Sequence, residues 1–127
     1  MALRSQLGRV RGLGSAKEGV THFWHQRLTA LALIPLTIWF VISVIVLAGA
    51  DFAAYRAWIA LPGNTTLMII LIAMVFYHGA LGVQVVIEDY VHGEGAKLVW
   101  LVLMKFAMLL LGVFSAVAVL RVAFAGG

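Results

Sequence analysis

The stretch "TTLMIILIAMVFYHGALGVQVVIED", residues 65–89, decides the fold class because it is almost wholly apolar and long enough to cross a membrane. A helix needs about 20 apolar residues to span the hydrocarbon core. Two further stretches have the same character, so the predicted spans are 26–49, 65–89 and 97–124. The segments between them are too short to form a soluble domain. The sequence therefore predicts an all-α membrane protein with three transmembrane helices, and a single domain over residues 1–127.

The composition agrees with this prediction. Apolar residues make up 64% of the chain and charged residues only 11%, whereas charged residues are about 25% of a soluble domain. The chain has no cysteine, which excludes disulfides, thiolate metal sites and cysteine nucleophiles. In so apolar a chain, the net charge of +4 indicates contact with lipid headgroups, and we expect no nucleic-acid partner.

The basic residues predict the orientation of the spans. Lys and Arg collect on the cytoplasmic side of membrane proteins, whereas Asp and Glu count little. The N-terminal side and the second loop hold most of them, and the first loop and C-terminal end hold few: Arg4, Arg9, Arg11, Lys17, Arg27 and Lys97 against Arg56 and Arg121. We therefore expect residues 1–25 to be a cytoplasmic segment. An Arg-bearing start without acids also occurs in transit peptides, but a cytoplasmic leader is the preferred interpretation.

Local signals add detail between and within the spans. The triplet Pro62-Gly63-Asn64 predicts a turn between the first two spans. Two glycines mark the second loop, residues 88–97. Gly112 and Ala116 are small residues four apart in the third span, a spacing that favours close contact with another helix.

His78 is the unusual residue of the second span. Ionisable residues within a membrane helix are rare and commonly functional. At 1.5 Å per residue, His78 lies roughly 20 Å from one end of its span, near mid-bilayer. Three interpretations stay open: a neutral imidazole bonded to a neighbouring helix, a proton relay, or an axial ligand of haem iron. Gly79 and Gly82 leave room beside the ring for a flat macrocycle.

The other histidines do not complete a haem site on this chain. All three are expected at the membrane edge, away from the depth of His78: His22, His25 and His92. A haem held by two histidines would therefore need a second chain.

Asp89 and Tyr90 end the second span. Asp89 follows His78 by eleven residues, about 20° more than three helical turns, so both side chains share one face about 16 Å apart. A carboxylate and a phenol above an electron carrier would suit quinone reduction, since a tyrosine hydroxyl can donate to a quinone oxygen. Arg27 is expected at the same level, where it could pair with a haem propionate, Asp89 or a quinone oxygen. The alternatives are an aromatic-belt tyrosine and an arginine that snorkels to headgroups.

The ordered set "HQRLTALAL", residues 25–33, and "YHGALGVQVVIEDYVH", residues 77–92, resembles the hydrophobic membrane anchor subunits of bacterial succinate dehydrogenase, respiratory complex II. The resemblance covers about residues 14–120, and the His…Asp-Tyr spacing is its most specific part. It implies a multi-pass anchor of the bacterial inner membrane, forming half of a helix bundle. A second anchor subunit of cytochrome b556 type would complete the bundle. An iron–sulfur subunit and a flavoprotein subunit would dock on it.

The resemblance also implies roles for four residues. His78 matches the axial ligand of the iron of haem b, shared with a histidine of the second anchor subunit. Tyr90 matches a ubiquinone-contacting tyrosine, with Asp89 as its neighbour, and Arg27 matches an arginine near the haem propionates and the quinone pocket. Electrons from succinate, a tricarboxylic acid cycle intermediate, would pass through flavin and iron–sulfur clusters to ubiquinone. The chain would thus be a flavin-free subunit of a succinate:ubiquinone oxidoreductase.

Three alternatives to this function stay open at the level of sequence. The first is the anchor of a fumarate reductase, which runs the reaction in reverse. The second is a purely structural tether that binds neither haem nor quinone. The third is a proton-conducting transporter subunit in which His78 and Asp89 form the proton path.

Overall fold

Three long helices dominate the structure, a computed structural model that describes residues 6–10 and 16–125. These described residues contain no strand, and their helices are α1 (Gln6–Val10), α2 (Ala16–Leu47), α3 (Phe52–Ile59), α4 (Pro62–Tyr90) and α5 (Glu94–Phe124). The helices α2, α4 and α5 are long and apolar enough to cross a membrane. This confirms the predicted all-α membrane fold with three spans. Two of the basic residues used to predict orientation lie outside the described residues: Arg4 and Arg11.

The long helices extend beyond the predicted spans. α2 begins at Ala16, well before residue 26, and α4 begins at Pro62. Proline suits the first position of a helix because its φ is already helical and its missing N–H would have no helical partner there. The predicted turn at Pro62-Gly63-Asn64 is therefore the first turn of α4. The Asn64 side-chain amide donates to the Trp58 carbonyl oxygen at 2.9 Å, which ties this turn to α3.

α3 is a short helix inside a segment that the sequence suggested was a loop. Its N-cap is Asp51, whose Oδ1 accepts a hydrogen bond from the Ala54 N–H at 2.8 Å. The ring of Trp58 stacks on that of Trp39 in α2, with 5.8 Å between centroids. Ile59 is fully buried. These contacts hold α3 against the ends of the long helices.

α4 is the central helix of the bundle. It packs along both α2 and α5, whereas α2 and α5 make no extensive contact with each other. Gly112 of α5 lies against Phe76 of α4, where an added Cβ would sit 3.5 Å from ring atoms. The prediction that Gly112 lies at a helix contact is confirmed. Few apolar side chains are buried within the described chain: Leu36, Ile59, Leu71, Leu81, Ile87 and Met104.

The bundle has two different ends. At one end, which we call the turn end, residues 91–93 join α4 to α5 beside the start of α2. At the other end lies α3. The connection at the turn end is shorter than the predicted loop 88–97, because α4 continues through Tyr90 and α5 begins at Glu94. In the first turn of α5, Lys97 Nζ lies 3.9 Å from Glu94 Oε1.

Candidate functional site

Thr29 holds the imidazole of His78. The antiparallel helices α2 and α4 bring Thr29 Oγ1 to 3.0 Å from His78 Nδ1. The same hydroxyl lies 2.7 Å from the carbonyl oxygen of His25 and 3.0 Å from that of Gln26. Thr29 is 5% exposed and His78 is half-buried. The imidazole is thus bonded to a neighbouring helix through Nδ1, and its Nε2 has no hydrogen-bond partner within residues 6–10 and 16–125.

A second polar pair closes the same interface. The Tyr77 hydroxyl oxygen lies 2.7 Å from His25 Nδ1, and the two rings are 5.9 Å apart. The Thr29–His78 bond sets the register of α2 against α4, and His25 is about one helical turn, or 6 Å, before Thr29. The predicted separation in depth between His25 and His78 is therefore wrong. It assumed that α2 enters the membrane only after His25, whereas α2 is already helical from Ala16.

The two glycines that follow His78 have different surroundings. An added Cβ at Gly79 would meet no atom of the described chain within 4 Å. At Gly82, by contrast, the amide nitrogen of Gln26 lies 3.7 Å from the Cβ position. Room for a flat group is therefore found at Gly79, while Gly82 receives a side chain of α2. Two atoms in the α2–α4 interface are buried without a hydrogen-bond partner in the described chain: His22 Nε2 and Gln26 Oε1.

Asp89 and Tyr90 lie at the turn end with free polar groups. Because α4 runs unbroken to Tyr90, the predicted spacing of about 16 Å from His78 to Asp89 and their shared face hold. Tyr90 is 78% exposed, and Asp89 is also exposed. Neither side chain makes a hydrogen bond or an ion pair with another described residue. The neighbouring carboxylate of Glu88, in contrast, accepts a hydrogen bond from Gln84 at 2.9 Å.

Arg27 does not share the level of Asp89. Gln26 lies beside Gly82, seven residues before Asp89 on α4, so Arg27 is about 10 Å deeper than predicted. Its guanidinium carbon lies 5.0 Å from the centroid of the Phe23 ring. Arg27 is about 200° around α2 from Thr29, so it points away from α4. Of the three partners considered for Arg27, Asp89 makes no ion pair with it in the described chain, and the Arg27 side chain is exposed.

A cavity of about 590 Å³ lies between α4 and α5, but none of the predicted site residues lines it. Its walls are mainly apolar, with polar groups from Tyr77, Gln84 and Lys105. Asp89 and Tyr90, which were predicted to meet a quinone, lie instead on open surface at the turn end. A pocket at that end therefore needs walls from outside the described chain.

The donor set at His78 fits one axial position of a haem. The described residues contain no group of three His, Asp or Glu side chains that could hold an ion, but haem iron needs only axial ligands from protein. A histidine that ligates a metal usually donates its other ring N–H to an oxygen. His78 meets this pattern, because Nδ1 faces the Thr29 hydroxyl and Nε2 has no partner in the described chain.

Comparison with known proteins decides the family. The family described as "Succinate dehydrogenase/Fumarate reductase transmembrane subunit" matches residues 1–120. The chain belongs to this family. It is 32% identical over 88 residues to the succinate dehydrogenase hydrophobic membrane anchor subunit of Rickettsia bellii, covering 69% of this chain and 70% of that one. It is 31% identical over 110 residues to the corresponding subunit of Paracoccus denitrificans, covering 84% of each chain. No solved structure matches the chain significantly.

The resemblance drawn from the two quoted motifs is thereby confirmed. As a member of the succinate dehydrogenase/fumarate reductase transmembrane subunit family, the chain is a hydrophobic membrane anchor subunit of succinate dehydrogenase. Its three apolar helices make it a multi-pass protein of the bacterial inner membrane. An anchor subunit belongs to a complex with other subunits. The sequence alone did not identify Thr29 or the Tyr77–His25 pair as parts of the site. Their contacts depend on the register of α2 against α4, which the sequence does not give.

Proposed function

We propose that this anchor subunit ligates one side of a haem b through His78 Nε2 and lends Tyr90 and Asp89 to a ubiquinone site at the turn end. The observation that carries the proposal is that the two nitrogens of the His78 ring have different surroundings. Nδ1 contacts the Thr29 hydroxyl, and Nε2 has no partner in the described chain. A haem bound there supplies a one-electron relay. The chain's residues bind and orient that group, while electrons reach ubiquinone from the iron–sulfur subunit.

A second histidine ligand would have to come from the other anchor subunit. His25 lies near the depth of His78, but a macrocycle cannot lie between them, because two short contacts fill that interface. These are the Thr29–His78 contact at 3.0 Å and the Tyr77–His25 contact at 2.7 Å. A haem on His78 Nε2 would therefore need space outside the α2–α4 interface. A second chain packed there would supply the other histidine and complete the bundle.

The ubiquinone site uses groups that are free on the surface of this chain. Tyr90 donates its hydroxyl proton in a hydrogen bond to a quinone carbonyl oxygen. Asp89, next to it and exposed, passes protons from water to the same place. The iron–sulfur subunit supplies the remaining walls from the cytoplasmic side, with the flavoprotein subunit bound to it in turn. Succinate oxidation at the flavin is thus joined to ubiquinone reduction at the membrane.

The resemblance places Arg27 near the haem propionates and the quinone pocket. Of these two roles, the proposal assigns it contact with a haem propionate. It lies only two residues before Thr29, about 3 Å along the α2 axis, and hence close to the level of His78. Its guanidinium faces away from α4 and is exposed, so it is open to a carboxylate outside the chain. Its distance from Asp89 argues against a direct part in the quinone pocket.

The direction in which the complex works is a separate question, because the description of the matching family names fumarate reductase as well as succinate dehydrogenase. Three relatives that match 84–91% of this chain are named succinate dehydrogenase hydrophobic membrane anchor subunits. Comparing the rates of succinate oxidation and fumarate reduction by the purified complex distinguishes the two.

The test of the haem assignment is a reduced-minus-oxidised visible spectrum of the purified whole complex. We expect His78→Ala to remove the b-type signal, because the iron loses an axial ligand. His25→Ala is the matched control, since it changes a histidine at nearly the same depth and should leave the signal in place. An unchanged b-type spectrum in the His78 variant would remove this residue as the ligand. Loss of the b-type signal in the His25 variant alone would instead identify His25, on α2, as the ligand.

A further inference from the structure

The hydroxyl of Thr29 has three neighbours but only one proton. A hydroxyl donates one hydrogen bond and accepts up to two. The neighbouring oxygens of His25 and Gln26, at 2.7 and 3.0 Å, belong to backbone carbonyls and can only accept. The shorter contact is the bond back to the preceding helical turn that buried threonines commonly make. The proton of Thr29 therefore points at the His25 carbonyl oxygen.

This assignment determines the tautomer of His78. With the Thr29 proton committed to a carbonyl, the lone pairs of Oγ1 face His78 Nδ1 at 3.0 Å. Two lone pairs at that distance would repel each other, so Nδ1 must carry a proton and donate it to Oγ1. A neutral imidazole has one N–H only. Nε2 is consequently the unprotonated nitrogen, and a metal ion binds that form of the ring.

We propose that Thr29 is a positioning residue for the haem iron, acting through His78. This inference rests on the proposed haem ligation, and it names the group that makes the ligation possible. The hydroxyl holds the ring in one orientation and one tautomer before any haem arrives. It also accepts the Nδ1–H bond, and such a partner raises the basicity of a ligating histidine. The bond from Thr29 to the His25 carbonyl polarises the hydroxyl and strengthens this effect.

The position of Thr29 makes it suited to this role. It is 5% exposed, so water does not replace its hydroxyl when it is removed. It is on α2, whereas the ligand is on α4, so the contact also sets the register of one helix against the other.

The experiment compares variants of Thr29 in the purified whole complex. Thr29→Val keeps the shape of the side chain and removes the hydroxyl, whereas Thr29→Ser keeps the hydroxyl. The measurements are the midpoint potential of the b-type haem, the electron paramagnetic resonance signal of the oxidised haem, and haem content. We expect Thr29→Val to raise the potential, shift the resonance and weaken haem affinity by about 10- to 100-fold. Thr29→Ser should stay close to the unaltered complex in all three.

Ser43→Ala is the control for the loss of a buried hydroxyl. Ser43 is also buried in α2, and its hydroxyl donates to the Trp39 carbonyl oxygen at 2.7 Å, but it meets no histidine. The potential and the resonance should not change in this variant. If Thr29→Val fails to assemble, Thr29→Ala removes the same hydroxyl without added bulk and is read in the same way. A potential and a resonance unchanged in either hydroxyl-free variant would overturn the role of Thr29.

The same preparations separate this inference from the proposal on which it rests. Loss of haem in His78→Ala together with an unchanged potential in Thr29→Val would overturn only the positioning role. An unchanged b-type signal in His78→Ala would overturn both. Loss of haem in His78→Ala with a raised potential in Thr29→Val and recovery in Thr29→Ser would support both.

Discussion

Tyr90 is a phenol at the last position of a membrane helix, and its surroundings favour a partner outside the chain. Its side chain is 78% exposed, and its hydroxyl has no partner among the described residues. The other tyrosines differ: the Tyr77 hydroxyl meets His25, and the Tyr55 ring stacks near Trp58 in α3. An interfacial anchor explains a tyrosine at this depth, but it does not by itself explain the adjacent exposed Asp89.

Changing Tyr90→Phe tests the ubiquinone assignment at a single atom. The variant loses one hydrogen bond to the quinone, and such a bond contributes about 0.5–1.5 kcal/mol. The expected result is a quinone reductase rate lowered about 2- to 10-fold, with unchanged succinate oxidation when an artificial acceptor takes electrons at the flavin. Tyr55→Phe, at the opposite end of the bundle, is the control and should leave both rates unchanged. Equal quinone reduction in Tyr90→Phe and the unaltered complex would argue for a simple anchor.

The residues of the site differ in how far the sequence could identify them. His78 could be singled out, because a histidine is rare within so apolar a stretch. Asp89 and Tyr90 could be placed relative to His78, because all three belong to one helix and its geometry is known. Arg27 was placed at the wrong level, since its depth depends on how α2 slides along α4. The composition of the two helices does not determine their relative register. That register is seen only in contacts between them, such as Thr29–His78.

At the scale of elements, α4 has a different neighbour on each side. On one side, polar groups of α2 meet it, among them Thr29 and Gln26. On the other side, α5 approaches closely because Gly112 admits the ring of Phe76. Apolar burial does not drive helices together in lipid, so close packing and buried hydrogen bonds must hold these pairs. The α2–α4 interface thus relies on hydrogen bonds, and the α4–α5 interface relies on a glycine that has no side chain.

The contact at Gly112 predicts a graded response to side-chain size. An added Cβ would lie 3.5 Å from Phe76, an ordinary contact distance, so Gly112→Ala should be tolerated. Gly112→Leu would push branched carbons into the ring, and overpacking of this kind costs about 1–3 kcal/mol. We expect a lower melting temperature of the purified complex for the leucine variant only. If the two variants melt alike, α5 does not depend on this contact for its place beside α4.

The sequence predicted the existence of a helix well where a long apolar stretch required one. It predicted helix boundaries poorly where the local signals were ambiguous. The three spans were predictable because nothing else explains such long apolar runs. Pro62-Gly63-Asn64 reads equally well as a turn and as a helix start, and α4 uses it as a start. α3 was missed because it is only eight residues long, and its stability comes from the Asp51 cap and the stacked Trp58, which become visible only in three dimensions.

At the scale of the whole molecule, most of the surface is apolar and little of it is covered by the chain itself. Only six apolar side chains are buried in the described part of the chain. Lipid covers the rest, together with the second anchor subunit that the proposed function requires. The charges follow a simple pattern, with most basic residues on the N-terminal side or near the turn end. This pattern predicts that the turn end faces the cytoplasm, the side on which the proposed soluble subunits would dock.

The absence of cysteine allows a direct test of this orientation. Single cysteines at His92 and at Ala53, both exposed and at opposite ends, should react differently with a membrane-impermeant maleimide. In intact spheroplasts we expect labelling of Ala53→Cys only. In inverted vesicles stripped of soluble subunits, we expect labelling of His92→Cys only. The reversed pattern would place the turn end, with Asp89 and Tyr90, outside the cell.

The central place of α4 has a consequence for how the protein is made. α2 leaves the ribosome first, but the helix that receives its polar side chains follows later: His78 comes 49 residues after Thr29. At roughly 5–20 residues per second, this delay is about 2–10 s. During that interval Thr29 is satisfied by its own backbone, whereas the polar side chain of Gln26, which α4 later covers at Gly82, would face lipid. α2 is therefore expected to stay beside the insertion machinery until α4 has been translated, and only then to move into the bilayer.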